Sequence, residues 1–138
     1  MIRSLQLLAV LLCASLLAVA CGGSDDDAGP GIRLVDAADG AATLADPPDD
    51  LVILDVRTPD EFAEGHIDGA IMIDFYEADF SARLTELDPD VPYLIYCRSG
   101  NRSGQTRAIL ADLGFSDVAD VDGGVLAWAD AGLPLVTP

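Results

Sequence analysis

Five short apolar runs, each followed by a segment of helical character, leave this chain few ways to fold. The runs are IRLV (32–35), LVILDV (51–56), the stretch at about 70–73 in HIDGAIMID, VPYLIY (91–96) and DVADV (117–121). Strands that alternate with helices are joined by crossovers and lie parallel in one sheet. LVILDV is apolar enough to be buried on both faces, as a parallel sheet covered by helices requires. The expectation is an α/β domain with a mainly parallel, five-stranded sheet.

The segments between the runs carry helix signals. Asp36 is placed to cap a helix running to about Ala45, and DPPDD (46–50) makes a turn. In TPDEFAEG, Thr58 is the N-cap, Pro59 takes the first helical position and Glu61 follows three residues after the cap. This is a capping box with proline where its missing N–H costs nothing. FYEADFSARLTEL (75–87) reads as a helix with Phe75, Phe80, Leu84 and Leu87 on its apolar side. SGQTRAILADLG (103–114) and GGVLAWADAG (123–132) read as the last two helices, and no internal repeat is present.

The first twenty residues belong to none of this. Arg3 precedes an apolar stretch from Leu5 to Ala20 that falls short of the roughly 20 apolar residues a spanning helix needs, so it reads as an export signal. Its end, LAVAC, places small Ala20 before Cys21 and resembles the bacterial lipoprotein signal, with Ala18 where leucine is usual. That resemblance implies lipid on Cys21 and a protein exported and anchored to the cell envelope; signal cleavage with a free Cys21 is the alternative. Residues 21–31 are mostly Gly, Ser and Asp, a flexible tether that reaches about 35 Å at most. The folded domain is expected over 32–138.

Charge narrows the partners. There are 24 acidic residues against seven bases, all of them arginine, so the surface is acidic and nucleic acid is excluded as a partner. Three of those arginines, Arg98, Arg102 and Arg107, nevertheless fall within residues 98–107.

They follow the remaining cysteine. With Cys13 in the signal and Cys21 assigned to lipid, Cys97 is the one thiol of the domain, and exported proteins usually keep cysteines in pairs. It directly follows the fourth apolar run, at the strand edge where α/β sheets bind ligands. In CRSGNRS (97–103), Gly100 is free to take a positive φ and close a tight ring whose N–H groups point inward. A helix starting near Arg102 adds its positive end. A thiol in such a setting has a pKa of about 3.5–7.5 instead of about 8.5, so no separate base is needed. Nothing in the chain calls for a metal or a cofactor.

Four segments in order then resemble the rhodanese family of sulfurtransferases: ILDVRTPDEF (53–62), GHIDGAI (65–71), CRSGNRS (97–103) and GGVLAW (123–128). The resemblance spans roughly residues 32–136 and implies a three-layer α/β/α domain. It implies that Cys97 takes a sulfane sulfur from a thiosulfate-like donor, becomes a persulfide and passes the sulfur to a thiol or cyanide. The loop amides of Arg98, Ser99, Gly100, Asn101 and Arg102 would hold its charge, Arg102 would close the loop, and Arg98 would meet the donor's sulfonate. Ser103 either hydrogen-bonds the thiolate or caps the helix. Asp55 and Arg57 are read as bracing the loop, His66 as a structural hydrogen-bonding group, Glu61 as a cap and Trp128 as core or pocket wall. Asp68 stands where the family commonly has proline, in a turn away from the site.

Two other functions fit the same loop. Cysteine-dependent phosphatases also use a cysteine loop closed by arginine, but with five intervening residues; here there are four, RSGN, a smaller ring suited to a sulfur atom. A persulfide carrier without turnover would need the same loop as an enzyme.

Overall fold

The computed structural model describes residues 31–138. Residues 1–30, on which the expected export signal, Cys21 and nearly all of the expected tether fall, lie outside the described residues. Five strands and five helices alternate: β1 (Ile32–Val35), α1 (Ala37–Ala45), β2 (Val52–Asp55), α2 (Pro59–Glu64), β3 (Ile71–Met72), α3 (Phe80–Thr85), β4 (Tyr93–Tyr96), α4 (Asn101–Asp112), β5 (Val118–Val121) and α5 (Gly124–Asp130). The sheet order is β1-β5-β4-β2-β3, and every pairing is parallel. A short antiparallel bridge joins His66 to Val136.

Each face of the sheet has its own core. Leu54, Ile95 and Val118 face Phe80, Leu84, Leu110 and Phe115 on the side of α3 and α4. Leu94, Ala119 and Val121 face Ala37, Val125 and Trp128 on the side of α1 and α5. The alternation follows from the strand period of two, which sends successive side chains to opposite faces. β4 is buried at all four positions, as is β5, so the strand that delivers Cys97 is fully enclosed in the sheet. Full burial of such a side chain contributes about 1.5–3 kcal/mol. The helix that carries Trp128 is fixed further by its indole N–H, which donates to the Pro134 carbonyl at 3.0 Å.

The capping signals appear as written. Asp36 accepts from the Asp39 amide, and at α2 both halves of the Thr58/Glu61 box are made. One segment departs from expectation. The helix anticipated over 75–87 is confined to Phe80–Thr85. Its first part is bent into turns because the Asp74 carboxylate accepts from the Tyr76 amide at 3.0 Å and the Asp74 carbonyl accepts from Glu77. A short acidic side chain at such a position offers the backbone an alternative to helix. Phe75, Phe80, Leu84 and Leu87 still reach the same core. The strands are also shorter than the apolar runs; β2 begins at Val52 and β4 at Tyr93.

Candidate active site

Cys97 leaves β4 with no intervening residue and sits 1% exposed at the floor of the loop that runs into α4. Gly100 is the N-cap of α4 at φ +98°, a conformation an L side chain rarely takes. α4 has no side-chain cap, so its first amides are free for another acceptor. That acceptor is sulfur: the Gly100 N–H points at Cys97 Sγ from 3.1 Å.

Burial alone would raise the thiol's pKa. The Ser103 hydroxyl and the amides of Ser103, Gly100 and Ser99 oppose it, and the balance leaves the Cys97 pKa below its usual value. Hydrogen bonds to the charged form favour that form. The site therefore presents a buried thiol whose hydrogen bonds favour its ionised form.

The loop is held open from behind by α5. The Val125 and Leu126 amides donate to the carbonyls of Cys97 and Arg98 at 2.9 and 3.1 Å. With these carbonyls tied outward, the loop's amides are free to turn toward the sulfur. Gly124, at φ +59°, makes the approach possible: a Cβ there would lie 2.4 Å from the Cys97 carbonyl oxygen and 2.7 Å from the Arg98 carbonyl. This is the physical content of the GG pair before the terminal helix.

The predicted site residues divide into three groups. Ser99, Gly100 and Ser103 touch the sulfur's environment directly, while Arg98 and Asn101 are exposed at the loop's rim. Arg98 makes no ion pair among the described residues. The Arg102 guanidinium is bound by Glu61, while Cys97 lies close enough to favour its charged form. Both of its terminal nitrogens bond the Glu61 carboxylate at 2.7 Å, and it lies 5.5 Å from the Tyr76 ring. Glu61 is correspondingly more than a cap. The Arg102 hydrogen bond, against the opposing effect of burial, brings its pKa from 4.5 to about 2.

Asp55 and Arg57 form a buried pair that reaches Tyr96, the residue before Cys97. Arg57 grips Asp55 through Nε and Nη2 and donates to the Gly65 carbonyl at 2.7 Å, with its guanidinium 5.5 Å from the Tyr96 ring. Both are buried, and the pair ties the end of β2 to the C-cap of α2. His66 is likewise structural. Its Nδ1 meets the Phe62 carbonyl at 3.0 Å and its ring stacks on Phe62.

Four contributors escaped the sequence reading. The α5 amides carry no side-chain signal; the GG pair alone hinted at a close approach. Glu61 stands 41 residues from Arg102. Tyr76, 69% exposed, flanks Arg102 from the irregular segment before α3. Asp120 lies buried on β5 behind the loop, inside a run that read simply as a strand. Among the described residues, no group of His, Cys, Asp and Glu is disposed to hold a metal ion.

Comparison with known proteins agrees with this geometry. Residues 37–131 match the family model described as Rhodanese-like domain. A sulfurtransferase of Allochromatium vinosum is 38% identical over 107 residues, covering 78% of this chain and 97% of its own. The thiosulfate sulfurtransferase GlpE of Pseudomonas putida is 45% identical over 78 residues, 56% of this chain and 68% of that protein. Among solved structures, a rhodanese-related protein from Thermoplasma volcanium superposes with a TM-score of 0.67 at 31% identity, covering 77% of this chain and 99% of that one.

Proposed function

This chain belongs to the rhodanese-like domain family, and from that premise we propose that it is a sulfurtransferase acting through a persulfide on Cys97, with a thiosulfate-like donor. The observation that carries the reading is the loop itself: a buried thiol whose hydrogen bonds favour its ionised form, at the uncapped N-terminus of α4.

The steps balance without an added oxidant. Cys97 Sγ attacks the outer sulfur of thiosulfate, a new S–S bond forms, the old one breaks, and sulfite leaves with the bonding pair. A thiophilic acceptor, cyanide or a thiol, then attacks the outer sulfur of the persulfide. Cys97 departs as the thiolate that began the cycle. The amides of Ser99, Gly100 and Ser103 stabilise the charge on Sγ both as nucleophile and as leaving group. Arg98, exposed and unpaired among the described residues, is the cation available to the donor's sulfonate, because Arg102 is occupied by Glu61.

The four-residue spacing between Cys97 and Arg102 favours this chemistry over phosphate hydrolysis. Incubation with thiosulfate is expected to add one sulfur, about 32 Da, to the Cys97 peptide and none to Cys97→Ser. Steady-state formation of thiocyanate from cyanide marks an enzyme, whereas a single stoichiometric transfer marks a carrier. A wild type that stays unmodified, or that hydrolyses an aryl phosphate through Cys97, overturns the reading.

We also propose that the chain is exported and held at a membrane by lipid on Cys21. The support is the sequence around Ala20–Cys21 and the polar tether that follows. Cys21→Ala is expected to release the protein or block its processing; fractionation with membranes as in the wild type would refute the anchor.

A further inference from the structure

Asp120 is a carboxylate without a hydrogen-bond partner in the interior. It is fully buried on β5, and neither of its oxygens is satisfied. Burying a carboxylate this way is costly unless it is paired or takes up a proton. Its position is specific: Asp120 stands in register with Ile95 of β4, two residues before Cys97, and with Leu34 of β1 on the other side. It shares with Val118, two residues earlier, the face of the sheet that α4 covers.

Ser103, in the first turn of α4, is fully buried with its hydroxyl unpartnered, and it is close enough to both Cys97 and Asp120 to favour the ionised form of each. A hydroxyl has one hydrogen to donate, and it has two acceptors competing for it. The charged and titratable groups around Asp120 are few. Arg107 of α4 has Nη1 3.5 Å from Oδ2, Asp122 lies at the end of its own strand, and Cys97 stands at the end of β4.

We propose that Asp120 is a positioning residue for the nucleophile, its protonation deciding whether the Ser103 hydroxyl hydrogen serves Asp120 or the Cys97 sulfur. When Asp120 is ionised, it accepts that hydrogen and adds a second negative charge behind the thiolate. When Asp120 is protonated, its own O–H donates to Ser103 Oγ, and the Ser103 hydrogen turns to Sγ. Both consequences act in the same direction, so protonation of Asp120 lowers the pKa of Cys97 and its ionisation raises it. Burial, opposed by Ser103 and Arg107, brings the Asp120 pKa from 3.8 to about 6, which sets the switch in the weakly acidic range. Two groups coupled in this way titrate as a pair in two macroscopic steps.

The inference rests on Cys97 as the reactive thiol, and its test needs no sulfur donor, so it fails or stands separately from the proposed reaction. The full chain is alkylated with iodoacetamide across about pH 4–10, and modification is counted on the peptide that contains Cys97. Wild type is expected to give a curve shallower than a one-proton titration, with an inflection near pH 6. Asp120→Asn donates permanently to Ser103 and is expected to lower the midpoint by about one pH unit and restore a single step. Ser103→Ala is expected to raise the midpoint by about as much and to reduce the Asp120→Asn shift to less than half. Three results would each overturn the proposal: a one-proton wild-type curve, an unmoved midpoint in Asp120→Asn, or an equal shift in the Ser103→Ala background. If Asp120→Asn does not fold, the shape of the wild-type curve alone decides.

Discussion

Helices α2 and α4 begin a short distance apart in space and treat their first N–H groups in opposite ways. At α2, Thr58 Oγ1 accepts from the Glu61 amide and Glu61 returns the bond to the Thr58 amide, so the terminus is closed by its own side chains. At α4, Gly100 has no side chain to offer, and the Gly100 amide faces Cys97 Sγ. One terminus is built for stability; the other keeps its donors for a sulfur. The contrast teaches that an uncapped N-terminus behind a buried cysteine is a binding feature, and that Glu61 belongs to both ends. It caps α2 and holds Arg102 in the first turn of α4.

The largest effect should come from removing the support that keeps α4's donors pointed inward. Gly124→Val places a branched side chain where even a Cβ would meet the Cys97 carbonyl at 2.4 Å. With the added cost of a positive φ, a loss of roughly 3 kcal/mol or more is expected by denaturant unfolding, together with loss of sulfur transfer. Near-normal stability and turnover would show that α5 does not shape the loop.

An inserted glycine after Gly100 carries α4 away from the sulfur while leaving α2 intact. Sulfur transfer is expected to fall about a hundredfold and the Cys97 alkylation midpoint to move toward the ordinary thiol value of about 8.5. Retained reactivity would break the comparison, because the α4 amides would then be dispensable.

Glu61→Gln tests the link between the two termini. It should cost about 1–2 kcal/mol in urea unfolding at neutral pH and weaken the order of Arg102. Folding lowers the Glu61 pKa from 4.5 to about 2, so this stabilisation is whole above the unfolded value and is lost as pH falls through about 2. The gap between wild type and Glu61→Gln should therefore close in acid; a gap constant down to pH 2 would assign the loss to something other than the ion pair.

The smallest effect is expected at Thr58→Ala, which opens the α2 cap. Stability should drop by about 1 kcal/mol. The pH profile of Cys97 alkylation should stay within error of the wild type, and a shifted profile would mean that α2's cap and α4's donors are one system after all.

Much of this was legible in the chain itself, for a physical reason. Strand order along the sequence, the Thr58-Pro59-Glu61 cap and the strand–Cys97–helix junction are all local patterns, and local patterns can be read from neighbours. Asp74 misled the reading of α3 because its side chain competes for backbone amides, a choice the period of Phe75, Phe80, Leu84 and Leu87 does not register. The resemblance assigns Arg102 to the loop, but its partner Glu61 is near only after folding. Asp120 looked like any polar residue at a strand's end; only the register of β5 against β4 sets it behind Ser103. Apart from the local Asp74 turn, what the sequence hid was long-range.

The bonds from Val125 and Leu126 to the carbonyls of Cys97 and Arg98 also impose an order of events on biosynthesis. Cys97 emerges well before the segment that shapes its loop. Until residues 123–126 have followed and docked, the loop lacks these two bonds, so the thiol is expected to acquire its finished environment only once α5 is in place. Nascent chains arrested before residue 123 should react with iodoacetamide at the rate of an unstructured cysteine, and chains released beyond α5 at the rate of the finished site.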